Sequence, residues 1–330
     1  MELRKDPITR SWVIIAEENG YEIPRDPCPL CPGNEALAPH TIFSLPPGSP
    51  SWQVRAVPHF HPVYRVEGDP GRRADGIYDV MSSVGAHEII VESPDHNQQL
   101  GQAPQAAVER VLEAYAQRIL DLKRDARFKY VSIFKNRGAL AGEELTHPHS
   151  LLTATTFVPR RILYELRSSR DYFHMKERCV FCDIIHQDEL QATRLVETTA
   201  SYVALCPFAS RVPFETWILP RRHHHAFEND YLHTTSQGEF AGLLGRTLRR
   251  LEHVSDAYHL VLHTTPNTRA KTEIAEYWKT LADDYHWHVE ILPIAQKRAK
   301  SYLIKETYYN AVCPEEAAER LRAAPVEVLV

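Results

Sequence analysis

The chain of 330 residues has 43% hydrophobic and 25% charged residues, which is typical of a soluble globular protein and excludes disordered and fibrous classes. A formal net charge of -5 provides no general basic field, and no apolar run reaches membrane length, so we expect neither nucleic acid nor a membrane as a partner. The N-terminal residues lack the pattern of a signal peptide, and we therefore expect a cytoplasmic protein.

The first half of the chain places a pair of cysteines ahead of strands, a helix and two close histidines. The run CPLC contains Cys28 and Cys31, and the strand-like run HEIIVESPDH ends at His96. Apolar residues three and four apart predict a helix over 106–123, and β-branched and aromatic residues predict a strand in KYVSIFKN. The run HPHSLLTATTFVP follows, with a proline between its histidines.

The second half repeats this order. CVFC precedes the strand-like runs SYVALCPF and FETWILPRRHHH, a predicted helix over about 236–251, the strand-like run YHLVLHTT and a final YHWHVEILP. A closing helix is predicted from Pro314, because proline and acidic residues are favoured in a first turn. Strands mixed with a few helices predict an α+β fold, and the repeated order predicts a tandem duplication with halves at 1–165 and 166–330.

Four of the six cysteines form the two Cys-x-x-Cys pairs. In a chain without export features, such pairs favour metal binding or redox chemistry over structural disulfides. Zinc prefers four ligands in a tetrahedron, and thiolates with imidazoles form a closed structural site. The predicted ligands are Cys28, Cys31, His96 and His147 at one site and Cys179, Cys182, His223 and His286 at the other. His224 and His225 compete with His223, and a redox motif or packed thiols stay open as alternatives for each pair.

The run HPHSLL predicts a nucleophile. On a strand, alternate residues share a face, so His147, His149 and Leu151 are expected to point the same way. If a metal holds His147, then His149 is presented rigidly beside it, and a neutral imidazole fixed in one tautomer is a good nucleophile toward phosphorus. The alternative is that both histidines are structural. His288 has the matching place in the second half, and we expect a structural or pocket residue there.

These motifs identify a family. The chain resembles galactose-1-phosphate uridylyltransferase and its relatives in the histidine-triad superfamily, such as ADP-glucose phosphorylase. The similar runs are ELRKDPITRSWVIIA, DPCPLCPGNE, HEIIVESPDH, IFKNRGALAG, HPHS, PFETWILPRRH, YHWHVEILP and NAVCPEEAAERL. The resemblance implies two histidine-triad-like halves with antiparallel sheets and flanking helices, zinc at both Cys/His sites and a homodimer. It also implies that His149 accepts a nucleoside monophosphate from a nucleotide sugar and passes it to a hexose 1-phosphate, with Asn136 close to the transferred phosphate.

The departures from the family pattern concern phosphate binding. Leu151 replaces a glutamine that holds the phosphoryl group, Glu144 replaces a serine that touches phosphate, and His59 replaces an asparagine near the ribose. Upstream of the first cysteine pair, Asn19 and Glu22 stand where the family has arginines that grip phosphate. The C-terminal run that serves the sugar is also changed, at Tyr302, Ile304 and Glu306.

We therefore expect a uridylyltransferase-like nucleotidyltransferase of carbohydrate metabolism whose substrates are not the standard UDP-glucose and galactose 1-phosphate. A nucleotide or a compound like a sugar phosphate is the expected ligand. The candidate substrate-binding residues are Asn136, Lys135, Ser150, Leu151, Glu144, His59 and His288. Two alternatives remain open: a hydrolase or another enzyme that acts on a cationic or non-diphosphate substrate in the same pocket, and a non-catalytic relative held together by zinc.

Overall fold

The structure is a computed structural model that describes residues 1–16, 23, 26–270, 279–294 and 307–327. Its strands in the first half are β1 (Glu2–Lys5), β2 (Trp12–Ile15), β3 (Phe43–Leu45), β4 (Val54–Pro58), β5 (Arg73–Asp75), β6 (Tyr78–Ser82), β7 (Gly85–Val91), β8 (Tyr130–Arg137) and β9 (His149–Thr155). Those in the second half are β10 (Leu195–Thr198), β11 (Tyr202–Leu205), β12 (Thr216–Pro220), β13 (Tyr258–His263) and β14 (His288–Pro293). The helices are α1 (Gln105–Leu122), α2 (Arg160–Lys176), α3 (Val180–Gln191), α4 (Phe227–His233), α5 (Gln237–Glu252), α6 (Leu281–Asp284) and α7 (Pro314–Ala323).

One sheet of ten strands spans both halves of the chain. Its order is β10-β11-β12-β14-β13-β8-β9-β7-β4-β3, and neighbouring strands pair antiparallel. Each half contributes five adjacent strands, and the two sets meet at the pair β13 and β8, where Tyr258 lies opposite Arg137 and Leu262 opposite Ile133. The order from either edge to this pair is equivalent, so the duplication predicted from the sequence is present as two matching half-sheets. The α+β fold with tandem repeats is confirmed.

The two faces of the large sheet have different partners. Helices α1, α4, α5 and α7 cover one face, and their apolar residues join alternate strand residues such as Ile133, Leu152 and Val289 in the main hydrophobic core. The opposite face carries two smaller apolar clusters, one in each half. Burial of one strand face against helices is what positions the other set of side chains, including His149, toward the second face.

The predicted helices are confirmed with small shifts of their ends. The helix predicted over 106–123 is α1, and the helix predicted over about 236–251 is α5. Helix α7 begins at Pro314 with two acidic residues in its first turn, as predicted. The predicted boundary between residues 165 and 166 stays a prediction, and it falls within α2.

A separate sheet of four strands, in the order β2-β1-β6-β5, lies beside the large one. Leu3 and Met81 are buried beneath it with Tyr64. Among the described residues, every helix is too short or too polar to span a lipid bilayer.

Candidate active site and metal centres

The first Cys/His group has the geometry of a closed metal site. Cys28, Cys31, His96 and His147 place their ligand atoms within 4.8 Å of one another. The Cys31 Sγ atom lies 3.3 Å from His96 Nδ1 and 3.5 Å from His147 Nδ1, and Cys28 Sγ lies 3.8 Å from His147 Nδ1. Tetrahedral zinc with ordinary bond lengths would separate sulfur and nitrogen ligands by roughly 3.6 Å. These four residues therefore fit a zinc ion without rearrangement.

The hydrogen bonds of the two histidines agree with metal binding through Nδ1. His147 Nε2 donates a 2.8 Å hydrogen bond to the carbonyl oxygen of Ser93, which leaves the lone pair of Nδ1 directed at the cysteines. His96 Nε2 lies 3.1 Å from Thr146 Oγ1. Outer partners of this kind fix the ring orientation of metal-binding histidines. Burial lowers the pKa of His147 to about 4, so the ring is neutral and able to bind a metal near pH 7.

The second group repeats the arrangement with Cys179, Cys182, His223 and His286. Cys182 Sγ lies 3.4 Å from His223 Nδ1 and 3.7 Å from His286 Nδ1. The Nε2 atoms of the two histidines donate to the carbonyl oxygens of Ala282 and Pro220, each at 2.8 Å. The sequence left three consecutive histidines as candidates, and the structure brings His223 to the cysteines rather than His224 or His225.

The first residue of β9 is His149, whose imidazole is held in one tautomer. Its Nδ1–H donates a 2.8 Å hydrogen bond to the carbonyl oxygen of His147, so the lone pair of Nε2 is available for attack. The side chain is buried, with 4% exposed. Burial and the nearby Lys135 ammonium lower the pKa of His149, which keeps the ring neutral near pH 7. A neutral, fixed imidazole is the form that serves as a nucleophile.

The side chains of two predicted substrate-binding residues, Lys135 and Ser150, lie on the opposite face of the sheet from His149. Lys135 is fully buried and donates to Glu92 Oε2 and to the carbonyl oxygen of His149, each at 2.9 Å. Ser150 Oγ donates to Glu92 Oε1 at 2.5 Å. Ser150 follows His149 on the strand and so points to the opposite face, toward α1. Both side chains are therefore used within the protein core, and a role of Lys135 and Ser150 in substrate binding stays a prediction.

Leu151 shares the face of His149 but not its access to ligand. It packs in an apolar cluster with Trp52, Val57 and Ile89 and is 8% exposed. Its strand neighbours are Ile89 on β7 and Phe134 on β8. Hydrophobic neighbours on both sides explain why a leucine is accommodated here, and its contribution to substrate binding is at most a small apolar contact.

Asn136, His59 and Glu144 are the candidates with free or adjustable polar groups. The Asn136 Oδ1 atom accepts a 2.9 Å hydrogen bond from His259 Nδ1, which fixes the orientation of the amide. His59 Nδ1 accepts the backbone N–H of His61 at 3.0 Å, so its Nε2 carries the proton and faces Glu144 Oε2 at 3.3 Å. The hydrogen bond from His59 lowers the pKa of Glu144, whose side chain is 56% exposed. An ionised carboxylate with an open side therefore borders the site.

His87 supports this pair from the neighbouring strand. Its ring stacks on His59 with centroids 4.0 Å apart and an angle of 9° between the planes. Burial lowers the pKa of His87 to about 3, so the ring is neutral and packs as an aromatic surface. The sequence analysis missed His87, although its position in the run HEIIV, two residues before a buried isoleucine, places it on the same strand face as Val91.

His288 is enclosed by other side chains, and its role in substrate binding stays a prediction. It is 1% exposed, and its ring lies between His263, with centroids 4.5 Å apart, and Trp217, with centroids 5.4 Å apart. Like His149, it donates from Nδ1 to the carbonyl oxygen two residues earlier, here at 3.1 Å. The expectation of a structural residue agrees with this placement.

A cluster of charged side chains lies beside His288. His263 lies 3.0 Å from Glu165 and 3.4 Å from Glu290, and Glu290 also pairs with Arg211 at 2.8 Å. Burial opposes a charge on His263, but the two carboxylates outweigh it and raise its pKa to about 10. The sequence analysis missed this cluster because its members lie far apart in the chain and form no motif.

Five residues named in the sequence analysis lie outside the described residues. They are Asn19, Glu22, Tyr302, Ile304 and Glu306.

Comparisons with known proteins agree with the fold. The family model described as galactose-1-phosphate uridyl transferase, N-terminal domain, matches residues 9–159. ADP-glucose phosphorylase of Arabidopsis thaliana is 27% identical over 338 residues, which cover 97% of this chain and 92% of that protein. Galactose-1-phosphate uridylyltransferase of Thermotoga maritima is 28% identical over 341 residues, which cover 99% and 100% of the two chains.

Solved structures give the same result. A uridylyltransferase structure superposes with a TM-score of 0.80 at 27% identity, covering 98% of each chain. The crystal structure of an ADP-glucose phosphorylase from Arabidopsis thaliana with bound ADP-glucose superposes with a TM-score of 0.78 at 26% identity, covering 99% of this chain and 100% of that one. The matched N-terminal domain, the similarity along nearly the whole chain and the shared fold show that this chain is similar to galactose-1-phosphate uridylyltransferases and ADP-glucose phosphorylase, and that it is an enzyme of the nucleotidyltransferase kind.

Proposed function

We propose that the chain is a nucleotidyltransferase that carries a nucleoside monophosphate on Nε2 of His149 in a ping-pong sequence. The observation that supports this most directly is the hydrogen bond from His149 Nδ1 to the carbonyl oxygen of His147. It leaves Nε2 unprotonated in a buried, neutral ring, as a nucleophile toward phosphorus requires. The exposed Glu144 carboxylate, which interacts electrostatically with His149, gives the site an open side.

The chemistry divides into two displacements at phosphorus. In the first, the lone pair of Nε2 forms a bond to the α-phosphorus of a nucleotide sugar, and the bond from that phosphorus to the bridging oxygen breaks, so that a sugar 1-phosphate leaves. In the second, a phosphate oxygen of the acceptor attacks the same phosphorus, and its bond to Nε2 breaks. The imidazole returns to its starting state, and neither displacement changes an oxidation state.

Zinc is the metal we propose for the two Cys/His groups. The sulfur and nitrogen donors, their separations and the fixed Nε2 partners fit a closed tetrahedral site with no position left for substrate. The bound ion would hold the His147 ring and, through the same residue's carbonyl oxygen, the orientation of His149. Its contribution is therefore structural.

The donor we propose is a nucleoside diphosphate sugar other than the standard UDP-glucose. Leu151 supplies no hydrogen-bond donor for a phosphoryl group, and the Glu144 carboxylate repels one. The relative with bound ADP-glucose supports testing an adenine nucleotide first, and its name supports inorganic phosphate as an acceptor beside a hexose 1-phosphate. A homodimer and a cytoplasmic location stay predictions from the sequence.

Intact mass spectrometry tests this function. The purified protein is incubated with a panel of nucleotide sugars and dinucleotides, and we expect a covalent increase of one nucleoside monophosphate with at least one donor. Peptide mapping under mild, neutral conditions should locate it on His149, because phosphoramidates hydrolyse in acid. No adduct with any donor, or an adduct on another residue, would contradict the proposal.

A second candidate is supported by the Glu144–His59 pair. The exposed Glu144 carboxylate beside His149 favours ligands that donate hydrogen bonds or carry positive charge. A hydrolase, or another enzyme that acts on a cationic substrate, would use this carboxylate to bind its substrate. A non-catalytic relative would need neither this pair nor a free Nε2.

The substitution Glu144→Gln separates these candidates. If the ligand is a diphosphate, removing the negative charge should strengthen binding several-fold, because like-charge repulsion between the carboxylate and the phosphates is lost. If the ligand is cationic, the same change should weaken binding. Isothermal titration with nucleotide sugars and with matched amines measures both. Glu35, which accepts hydrogen bonds from Trp52 and Gly33 away from His149, provides the control variant Glu35→Gln.

A further inference from the structure

A buried charged network lies behind the strand that carries His149, on the side of the sheet that packs against α1. Lys135 Nζ donates to Glu92 Oε2 and to the carbonyl oxygen of His149, each at 2.9 Å. Ser150 Oγ donates to Glu92 Oε1 at 2.5 Å, and Tyr115 OH lies 2.5 Å from Ser150 Oγ and 3.3 Å from Glu92 Oε1. The Glu92, Lys135, Ser150 and Tyr115 side chains are at most 3% exposed.

Stability alone does not account for this network. Moving a carboxylate and an ammonium out of water costs several kcal/mol per ion, and the attraction between them often fails to recover that cost. Well-packed apolar residues of similar volume are often equally or more stabilising. The surrounding core residues are apolar, so apolar side chains at these positions would be compatible with the core.

In the second half of the chain, apolar residues occupy the corresponding positions. Val289 follows His288 as Ser150 follows His149, and it is buried in the main core. The pairs β8–β9 and β13–β14 have matching registers, with Phe134 opposite Leu151 and Val261 opposite Glu290.

This match makes Leu262, which follows Val261, the counterpart of Lys135, which follows Phe134. The register of β12 on β14, compared with that of β7 on β9, makes Pro220 the counterpart of Glu92, and this residue is uncharged. Among the described residues, the charged network therefore lies behind His149 and not behind His288. His288 makes the corresponding Nδ1 hydrogen bond without such a network, but the rings of His263 and Trp217 pack against its imidazole and hold it in place.

We propose that Glu92 and Lys135 are positioning residues for His149. Lys135 fixes the carbonyl oxygen of His149, and Glu92 fixes both Lys135 and the hydroxyl of the next residue, Ser150. These hydrogen bonds come from the core side of the sheet, and they fix the backbone on both sides of the His149 Cα. The hydrogen bond between His149 Nδ1 and the His147 carbonyl oxygen spans two residues, so it depends on that backbone staying in place. The inference rests on the proposed function, in which His149 is the nucleophile.

A variant that replaces the network with apolar residues tests the proposal. It combines Glu92→Leu, Lys135→Leu, Ser150→Val and Tyr115→Phe, which remove both charges together and leave no buried ion unpaired. The control combines Glu88→Leu and Arg118→Leu. That pair is another buried ion pair between β7 and α1, with atoms 2.6 Å apart, and it makes no contact with His149 among the described residues. The single variant Glu92→Gln serves if the fourfold variant does not fold, and zinc content and thermal unfolding establish folding in each case.

Two measurements decide the outcome. Nitrogen NMR of protein labelled with 15N-histidine, with the His149 signal assigned by His149→Ala, reports the tautomer without any substrate. We expect a single Nδ1–H form in the wild type and in the control, and a mixture of tautomers in the fourfold variant. Single-turnover adduct formation with the best donor should slow by about tenfold or more in the fourfold variant at unchanged donor affinity, because the nucleophile is misplaced rather than removed.

An unchanged His149 tautomer in a folded, zinc-loaded variant would overturn the proposal. If the wild type forms no adduct with any donor, the proposed function fails, and the NMR measurement still decides whether the network positions His149. Loss of the tautomer preference in the control as well would also overturn the proposal, since any buried ion pair would then have the same effect.

Discussion

Replacing His149 by alanine should reduce adduct formation by about a thousandfold or more, because the substitution removes the only nitrogen proposed to bond to phosphorus. The protein should still fold, but with a lower stability, because the buried ring leaves a cavity and loses its hydrogen bond to the carbonyl oxygen of His147. Zinc content should stay close to that of the wild type, since His149 belongs to neither Cys/His group. Quench-flow mass spectrometry of the adduct and steady-state turnover of the best donor measure the loss.

His288→Ala is the matched control for this variant. It removes the corresponding histidine of the second half, which is also buried and hydrogen-bonded to the carbonyl oxygen two residues earlier. Because aromatic and charged side chains enclose His288, adduct formation should persist, while stability should fall by about 2–4 kcal/mol through the cavity left beside Trp217 and His263. Equal loss of the adduct in both variants would remove the distinction between the two halves.

Removing one metal ligand should have the second large effect. Cys31→Ser replaces a thiolate that lies within 3.5 Å of two histidine nitrogens, and elemental analysis should fall from about two zinc ions per chain to about one. The free energy of unfolding should drop by several kcal/mol, because the binding energy of structural zinc is folding energy. Adduct formation on His149 should also slow, because the carbonyl oxygen that orients its ring belongs to the ligand His147.

Cys313→Ser provides the control for the metal experiment. Cys313 is exposed ahead of α7 and belongs to neither Cys/His group, so zinc content and unfolding should not change. A chelator that removes zinc from the wild type should reproduce the stability loss of Cys31→Ser. Well under one zinc ion per wild-type chain would contradict the assignment of both groups.

Much of this architecture could be predicted from the sequence because its signals are local. The helix at α1 follows from apolar residues at three- and four-residue spacing, and the strands follow from short β-branched runs. The two ligand groups follow from Cys-x-x-Cys pairs combined with an equivalent order of histidines in each half. The doubled pattern was decisive, since the second copy supported the interpretation of the first.

The rest depended on distances that the sequence does not contain. Lys135 on β8 and Ser150, which follows His149 on β9, are close to His149 in the chain or the sheet and are therefore predicted to contact substrate. Strand alternation instead turns both side chains toward the core, where they bond to Glu92. The choice of His223 over its two neighbours depends on the backbone path after β12. The pair of His59 and Glu144 joins residues 85 positions apart, and only the folded sheet brings them together.

The meeting of β8 and β13 at the centre of the sheet also bears on the origin of the chain. Each half alone would expose one of these strands as a bare edge with unpaired backbone groups, and such edges drive aggregation. A single-half ancestor could cover that edge with a second copy of itself in the same antiparallel register. Fusion of two copies would make the pairing of the two half-sheets intramolecular, so that it no longer depends on protein concentration. Once fused, the copies were free to diverge, so that one could retain an accessible histidine while the other filled its pocket with Trp217 and Glu290.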